Sequence, residues 1–186
     1  MKFNKRKIID DFRAMIRLKT ISSDDPGKMD MAEFAAFRKL LVDRFPNIRA
    51  HADIREIPPT GILFRIRGES AEAPSVLMAH YDVVPADQEG WTCDPFGAEI
   101  RGDRIYGRGT LDTKGTLCSI MEAADRALSQ GWIPKNDLYL SFGGEEEVSG
   151  ETTGNIVDTL EREGVRPAFV LDEGGAVIPE GLPGLK

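Results

Sequence analysis

The stretch SVLMAHYD, residues 75–82, decides how this sequence folds. Its first five residues form a short, continuous, mostly apolar run, the composition of a strand buried on both faces. The run then ends on an imidazole and a carboxylate, His80 and Asp82. Two later runs repeat the pattern. LYLSF at 138–142 leads into GGEEE at 143–147, and AFVL at 168–171 leads into DEGG at 172–175. Upstream, 50–57 and 61–67 also read as strands, joined by a turn through Pro58, Pro59 and Thr60.

Helices are expected between and before these strands. Ile8, Ile9, Phe12, Met15 and Ile16 recur at helical spacing over 5–20. Met31, Phe34, Phe37, Leu40, Leu41 and Phe45 do the same over 29–45, which Pro46 ends. A helix over 113–130 turns Leu117, Ile120, Met121, Ala124 and Leu128 inward and stops at Gly131. Another covers 152–163, with Gly164 just past it. Residues 85–108, rich in Gly, Pro and Asp, read as a long loop with a small hairpin, Glu99-Ile100 against Ile105-Tyr106 about Gly102-Asp103. This alternation predicts an α/β domain with a mostly parallel central sheet flanked by helices.

The length, 186 residues, suffices for one domain with a sizeable core. A formal net charge of -7 argues against nucleic-acid binding, because no Lys/Arg stripe offsets it. Two cysteines, Cys93 and Cys118, are too few for a disulfide framework and match no zinc-finger spacing. The basic start has no apolar region after it, so no signal peptide is expected, and no run reaches transmembrane length. A cytoplasmic protein with no membrane partner is expected.

In open α/β sheets, ligands bind at the carboxyl ends of strands. Here those ends carry His80/Asp82, Glu145–Glu147 and Asp172/Glu173, and Asp112 opens a helix in GRGTLDTKG. So many carboxylates on one rim would repel one another unless cations neutralise them. Histidine with carboxylates suits Zn²⁺, with Co²⁺ or Mn²⁺ also possible. Each motif alone has a plainer reading. HYD could be a polar strand end, Asp112 a helix N-cap, and the glutamates a solvated loop. In an extended segment, however, positions i and i+2 share a face, so Asp82 can reach the far ring nitrogen of His80 and fix its tautomer. Adjacent glutamates can divide the roles of metal ligand and general base. A phosphate loop lacks its glycine spacing before Lys114, and no strand is followed by GxGxxG.

Taken in order, HxDVVP (80–85), GWx₃PF (90–96), GRGx₂DxKG (107–115), EEx₂G (146–150) and LDEG (171–174) resemble the zinc peptidase family of aminoacylases, acetylornithine deacetylases, succinyl-diaminopimelate desuccinylases and glutamate carboxypeptidases. HYDVVP and LDEGG point to its carboxypeptidase S and N-acyl-amino-acid hydrolase branch. The resemblance runs from RLKTIS to Asp172 and covers only the first part of a family member. It implies hydrolysis of an amide bond in a small peptide or N-acyl amino acid by a metal-activated water, with two Zn²⁺ in a complete enzyme. His80, Asp112 and Asp172 match the ligands of one metal, Asp112 and Glu147 those of the second. Glu146 matches the general base, and Asp82 the carboxylate that orients His80. Gly150 sets this register for the glutamates. The peptide bond after Asp112 is cis in relatives.

The sequence departs from the pattern in two respects. Relatives supply a distal histidine to the second metal, whereas only His51 and His80 occur here. His51 precedes the first site strand. Relatives also carry a lid domain through which they often homodimerise. The expectation is therefore that 1–186 is the N-terminal part of a catalytic domain, with 176–186 the start of a connector toward an absent lid. An open sheet edge should leave such a piece sticky. The alternative is a non-catalytic remnant holding at most one metal.

Overall fold

The computed structural model describes residues 3–87 and 89–174. Helix α1 (Lys5–Arg17) leads to α2 (Met31–Arg44) and a short α3 (Pro46–His51). Strands β1 (Ala52–Ile57), β2 (Gly61–Ile66) and β3 (Ser70–His80) follow. A small hairpin, β4 (Glu99–Arg101) with β5 (Arg104–Tyr106), precedes α4 (Lys114–Ser129) and β6 (Asn136–Gly143). Helix α5 (Thr152–Arg162) and strand β7 (Phe169–Leu171) complete it.

The main sheet has the order β1-β2-β6-β3-β7. β6, β3 and β7 pair in parallel, while β2 pairs antiparallel with both β1 and β6. Four of the five strands thus point one way, and β2 alone is reversed. The expected α/β class stands, with a mixed sheet. Alternation along each strand divides the core. Ile62, Phe64 and Ile66 of β2, with Leu140 and Phe142 of β6, face Phe34, Phe37, Leu41, Leu117 and Met121 from the helices. Leu63 and Tyr139 face the opposite side, against Ile156 and Leu160 of α5. Four of the five residues expected inward on α4 are fully buried, and Ile120 is partly so.

The boundaries differ from the sequence reading where tertiary contacts override local pattern. Pro46 does end α2, but it also sits in the first turn of α3 and delays β1 to Ala52. Asp125 of α4 makes that short helix possible, because its carboxylate accepts from the amides of Asn47 (2.8 Å) and Ile48 (3.0 Å). β3 starts earlier than expected and absorbs an irregularity at Ala73, whose φ is 49°. α1 stops at Arg17, and Thr20 turns inward to donate to the Tyr81 carbonyl at 2.5 Å. The hairpin turns about Gly102, φ 63°, with Ile100 opposite Ile105 as expected. β7 is an edge among the described strands, and Phe169, Val170 and Leu171 are about half exposed. The connector expected at 176–186 lies outside the described residues. Among those residues, no helix is long and apolar enough to cross a membrane.

Lys114, passed over above as a phosphate ligand, is a structural residue. It is fully buried, and its Nζ donates to the carbonyls of Met15 (3.1 Å) and Leu18 (2.8 Å) at the end of α1. Burial pulls its pKa from the ordinary 10.5 to about 7, against the charges of Asp82 and Glu33. Between those two values the unfolded chain holds a proton that the folded chain has released, so this group makes stability rise with pH. Urea unfolding should therefore show wild type gaining stability relative to Lys114→Met from pH 7 to pH 9 (about two units). Parallel pH profiles for the two proteins would refute this.

Candidate metal-dependent active site

The order β6-β3-β7 sets three strand ends side by side, and each delivers acidic side chains to one corner. His80 closes β3 and is buried. Its Nε2 lies 2.8 Å from Asp112 Oδ1, 3.7 Å from Glu173 Oε2 and 3.8 Å from Glu146 Oε2. On the other side of the ring, Nδ1 is 3.2 Å from Asp82 Oδ1 and 3.2 Å from the Asp82 carbonyl. The i, i+2 spacing read from the sequence thus brings Asp82 behind His80. Asp82 is wholly buried, and its two carboxylate oxygens accept from the amides of Glu146 and Glu147, both at 3.1 Å.

Asp112 reaches the corner from the turn before α4, and its peptide bond to Thr113 is cis. Its side chain is largely exposed toward the site. Gly109, at φ 85°, permits the preceding bend, and a Cβ there would lie 2.8 Å from Val83 Cγ1. Leu111, Asp112, Thr113, Thr116, Asp172, Glu173 and Gly174 line a cavity of about 520 Å³.

Electrostatics follow from the crowding. Burial lowers the pKa of His80, but the hydrogen bond and charge of Asp82 outweigh it, with Asp112 and Glu173 adding to the rise, to about 9. Glu147 is raised, first by burial and then by the charge of Asp112. Glu173 is also raised, by burial and by Asp112, Glu146 and Asp172, against the attraction of His80. Carboxylates held near one another this way are relieved by a cation.

His80, Asp112 and Glu173 each offer a ligand atom, all within 4.8 Å of one another. A nitrogen with carboxylate oxygens is a donor set that Zn²⁺ accepts, so the residues fit a divalent cation. Of the residues expected in the site, His80, Asp82, Asp112 and Glu146 come together. Glu147 stands beside them, with its amide on Asp82. Asp172 lines the cavity, but its Oδ1 accepts from the Glu173 amide at 2.9 Å, and Glu173 is the neighbour that approaches His80. Sequence reasoning noted Glu173 at the strand end and gave it no role. Adjacent acids on a short strand end carry no signal that ranks them. His51 is exposed on α3, outside this group.

The chain is similar to known proteins along most of its length. Residues 76–183 match the family model described as peptidase family M20/M25/M40. The human N-fatty-acyl-amino acid synthase/hydrolase PM20D1 is 36% identical over 170 residues, which are 90% of this chain and 33% of that protein. The protein named "Probable carboxypeptidase S-like 1" of Dictyostelium discoideum is 36% identical over 167 residues, 88% of this chain and 34% of its own length. The chain therefore spans about a third of the length of these curated relatives. Among solved structures, the M20 family metallo-carboxypeptidase Sso-CP2 from Sulfolobus solfataricus superposes with a TM-score of 0.72 at 23% identity, covering 94% of this chain and 38% of that one. Human carnosine dipeptidase 1 gives 0.70 at 18%, covering 93% and 39%. At those identities the structures establish the shared fold.

The His80–Asp82 pair has a direct solution test. The chain holds two histidines, so its imidazole NMR spectrum carries two sets of ring signals to assign. In protein treated with chelator, His80 should titrate near pH 9, as its surroundings dictate. Asp82→Asn should move that midpoint down, because it removes the leading influences that raise it. An unmoved midpoint would show that Asp82 does not govern the imidazole.

Proposed function

The chain belongs to peptidase family M20/M25/M40, and from that premise we propose that its protein hydrolyses an amide bond in a small peptide or N-acyl amino acid, with a divalent cation at the His80 corner. The observation that carries this reading is the buried His80, oriented by Asp82 on one ring nitrogen and faced by Asp112 on the other. The relatives named above, a synthase/hydrolase of N-fatty-acyl amino acids and a carboxypeptidase S-like protein, support the substrate class.

His80 Nε2 and Asp112 would hold the first cation, with a third ligand from the end of β7. Asp172 is the residue we assign, and Glu173 stands next to it and nearer His80. Asp112 and Glu147 would serve a second cation. Zn²⁺ fits these donors, with Co²⁺ or Mn²⁺ as substitutes. Such a cation supplies Lewis acidity toward the scissile carbonyl and makes water acidic enough to lose a proton near neutral pH.

The chain's own groups do the rest. Asp82 would hold the proton of a neutral His80 on Nδ1, so that Nε2 could offer its lone pair to the cation. Glu146, half exposed and 3.8 Å from His80 Nε2, would take a proton from the attacking water and return it to the leaving nitrogen. Its backbone amide is tied to Asp82, so the strand end that orients the imidazole also sets the position of the base.

One observation favours a narrower reading for these 186 residues by themselves. Among the described residues, His80, Asp112 and Glu173 are the one group of three donors that converges. Binding of a single cation without turnover would match that grouping.

Metal analysis and hydrolysis of N-acyl amino acids and dipeptides separate the two readings. For a hydrolase, Glu146→Gln should lower kcat by about 10²-fold or more while zinc stoichiometry stays unchanged. His80→Asn should abolish tight zinc binding. Wild-type protein that binds one cation and hydrolyses none of these substrates would support the narrower reading for this chain. Wild-type protein that takes up no zinc would overturn both.

A further inference from the structure

We propose that Glu145, gripped by the hydroxyls of Thr60 and Thr152, is a positioning residue for the site. It pins the turn over residues 145–147 so that the Glu146 and Glu147 amides meet the Asp82 carboxylate. This rests on the preceding reading that the His80 corner holds a cation.

In the sequence Glu145 is the acid of the triplet left without a role, and the structure gives it partners of its own. Glu146 Oε2 approaches His80, whereas Glu145 Oε2 accepts from Thr60 Oγ1 at 3.2 Å and from Thr152 Oγ1. The two threonine hydroxyls are 2.7 Å apart, and both residues are fully buried. A carboxylate brought to such a place needs its donors, and these two provide them.

The flanking glycines have the same cause. A Cβ on Gly150 would fall 2.5 Å from Glu145 Cβ and 2.8 Å from its Oε1. A Cβ on Gly144 would fall 2.9 Å from Tyr81 Cζ and 3.0 Å from Thr60 Cβ. The glycines at 144 and 150 therefore leave room for this grip.

Thr60 also holds the other arm of the site. Its carbonyl accepts from the Tyr81 hydroxyl, and Tyr81 lies between His80 and Asp82. Arg38 donates to the Tyr81 hydroxyl at 3.2 Å and to Glu56 at 2.9 Å. Tyr81 stacks on Phe37, with ring centroids 4.5 Å apart and planes at 4°. One residue thus ties the strand end carrying His80 and Asp82 to the turn carrying Glu146 and Glu147. The front contact, the two amides on Asp82, is set by this rear anchor.

The test uses Co²⁺ as a visible-absorption probe, with Zn²⁺ competing for the site. Thr152→Val keeps the side chain's shape and removes its donor. It should weaken metal affinity about tenfold or more and alter the cobalt spectrum. Thr152→Ser should restore both. A residue that only stabilised the fold would lower the melting temperature and leave affinity and spectrum as in wild type. Gly150→Ala should act like Thr152→Val, because it pushes the same carboxylate from the other side. Wild-type affinity and spectrum in folded Thr152→Val and Gly150→Ala would overturn the proposal. So would a failure of both to fold while Thr152→Ser folds, since the contacts would then be purely structural. A wild-type chain that binds neither cation would instead remove the reading of the site itself, and this inference with it.

Discussion

The structure turns on a fully buried carboxylate, that of Asp82. Unpaired, a charge in such a place would cost several kcal/mol or shift to its neutral form. Here it meets an imidazole N–H and two backbone amides, which arrive from different strand ends. Those donors can converge only if β3 and β6 lie side by side in parallel and in the observed register, His80 opposite Gly143. The sheet order and the site are therefore one constraint. Slipping β3 against β6 by a single residue would exchange the faces of its side chains and leave the charge without partners.

Two further buried charged groups, Asp125 and Lys114, support that arrangement. Asp125 caps α3, the short helix that carries the chain from α2 back to the sheet within a few residues. Lys114 satisfies the carbonyls at the end of α1 and fixes the start of α4, two residues after Asp112. These two buried groups thus hold segments that adjoin those carrying the site. Apolar packing alone would leave those segments free to settle in neighbouring positions, because cores tolerate many packings of similar volume.

Much of this was legible in the sequence, because the informative signals are local. An apolar run broken by His-x-Asp marks the end of a buried strand, and β3 ends at His80. The heptad-like stripe of α4 and the glycine-centred hairpin were also readable from spacing alone. What escaped depends on distant partners. Thr60 looks like part of a turn and Thr152 like the start of a helix, yet they meet each other across 92 positions, and Thr60 meets Glu145 across 85. The helical pattern over 46–51 was too short to declare itself and is held by a carboxylate 77 positions away. Asp172 and Glu173 are equally acidic and adjacent. Which of them approaches His80 depends on how a three-residue strand end lies on β3, and no local pattern records that.

Charge gives the strongest reason to regard the corner as incomplete without a cation. His80 is the one positive group among Asp82, Asp112, Glu146 and Glu173, each within 3.8 Å of a ring nitrogen. Two like charges 4 Å apart repel by about 1 kcal/mol in water and about 4 kcal/mol near a protein surface. An imidazolium carries a single charge, and Asp82 already claims one side of it. Glu147 and Glu173 are raised first by burial and then by the neighbouring carboxylates, so part of their shift reflects that imbalance. Dispersing the acids would remove the repulsion. Yet the fold gathers them, through a glycine turn for Asp112, paired amides at Glu146 and Glu147, and an adjacent strand end for Glu173. A divalent cation reverses the sign of that repulsion, so an arrangement unfavourable to the bare protein becomes a source of affinity.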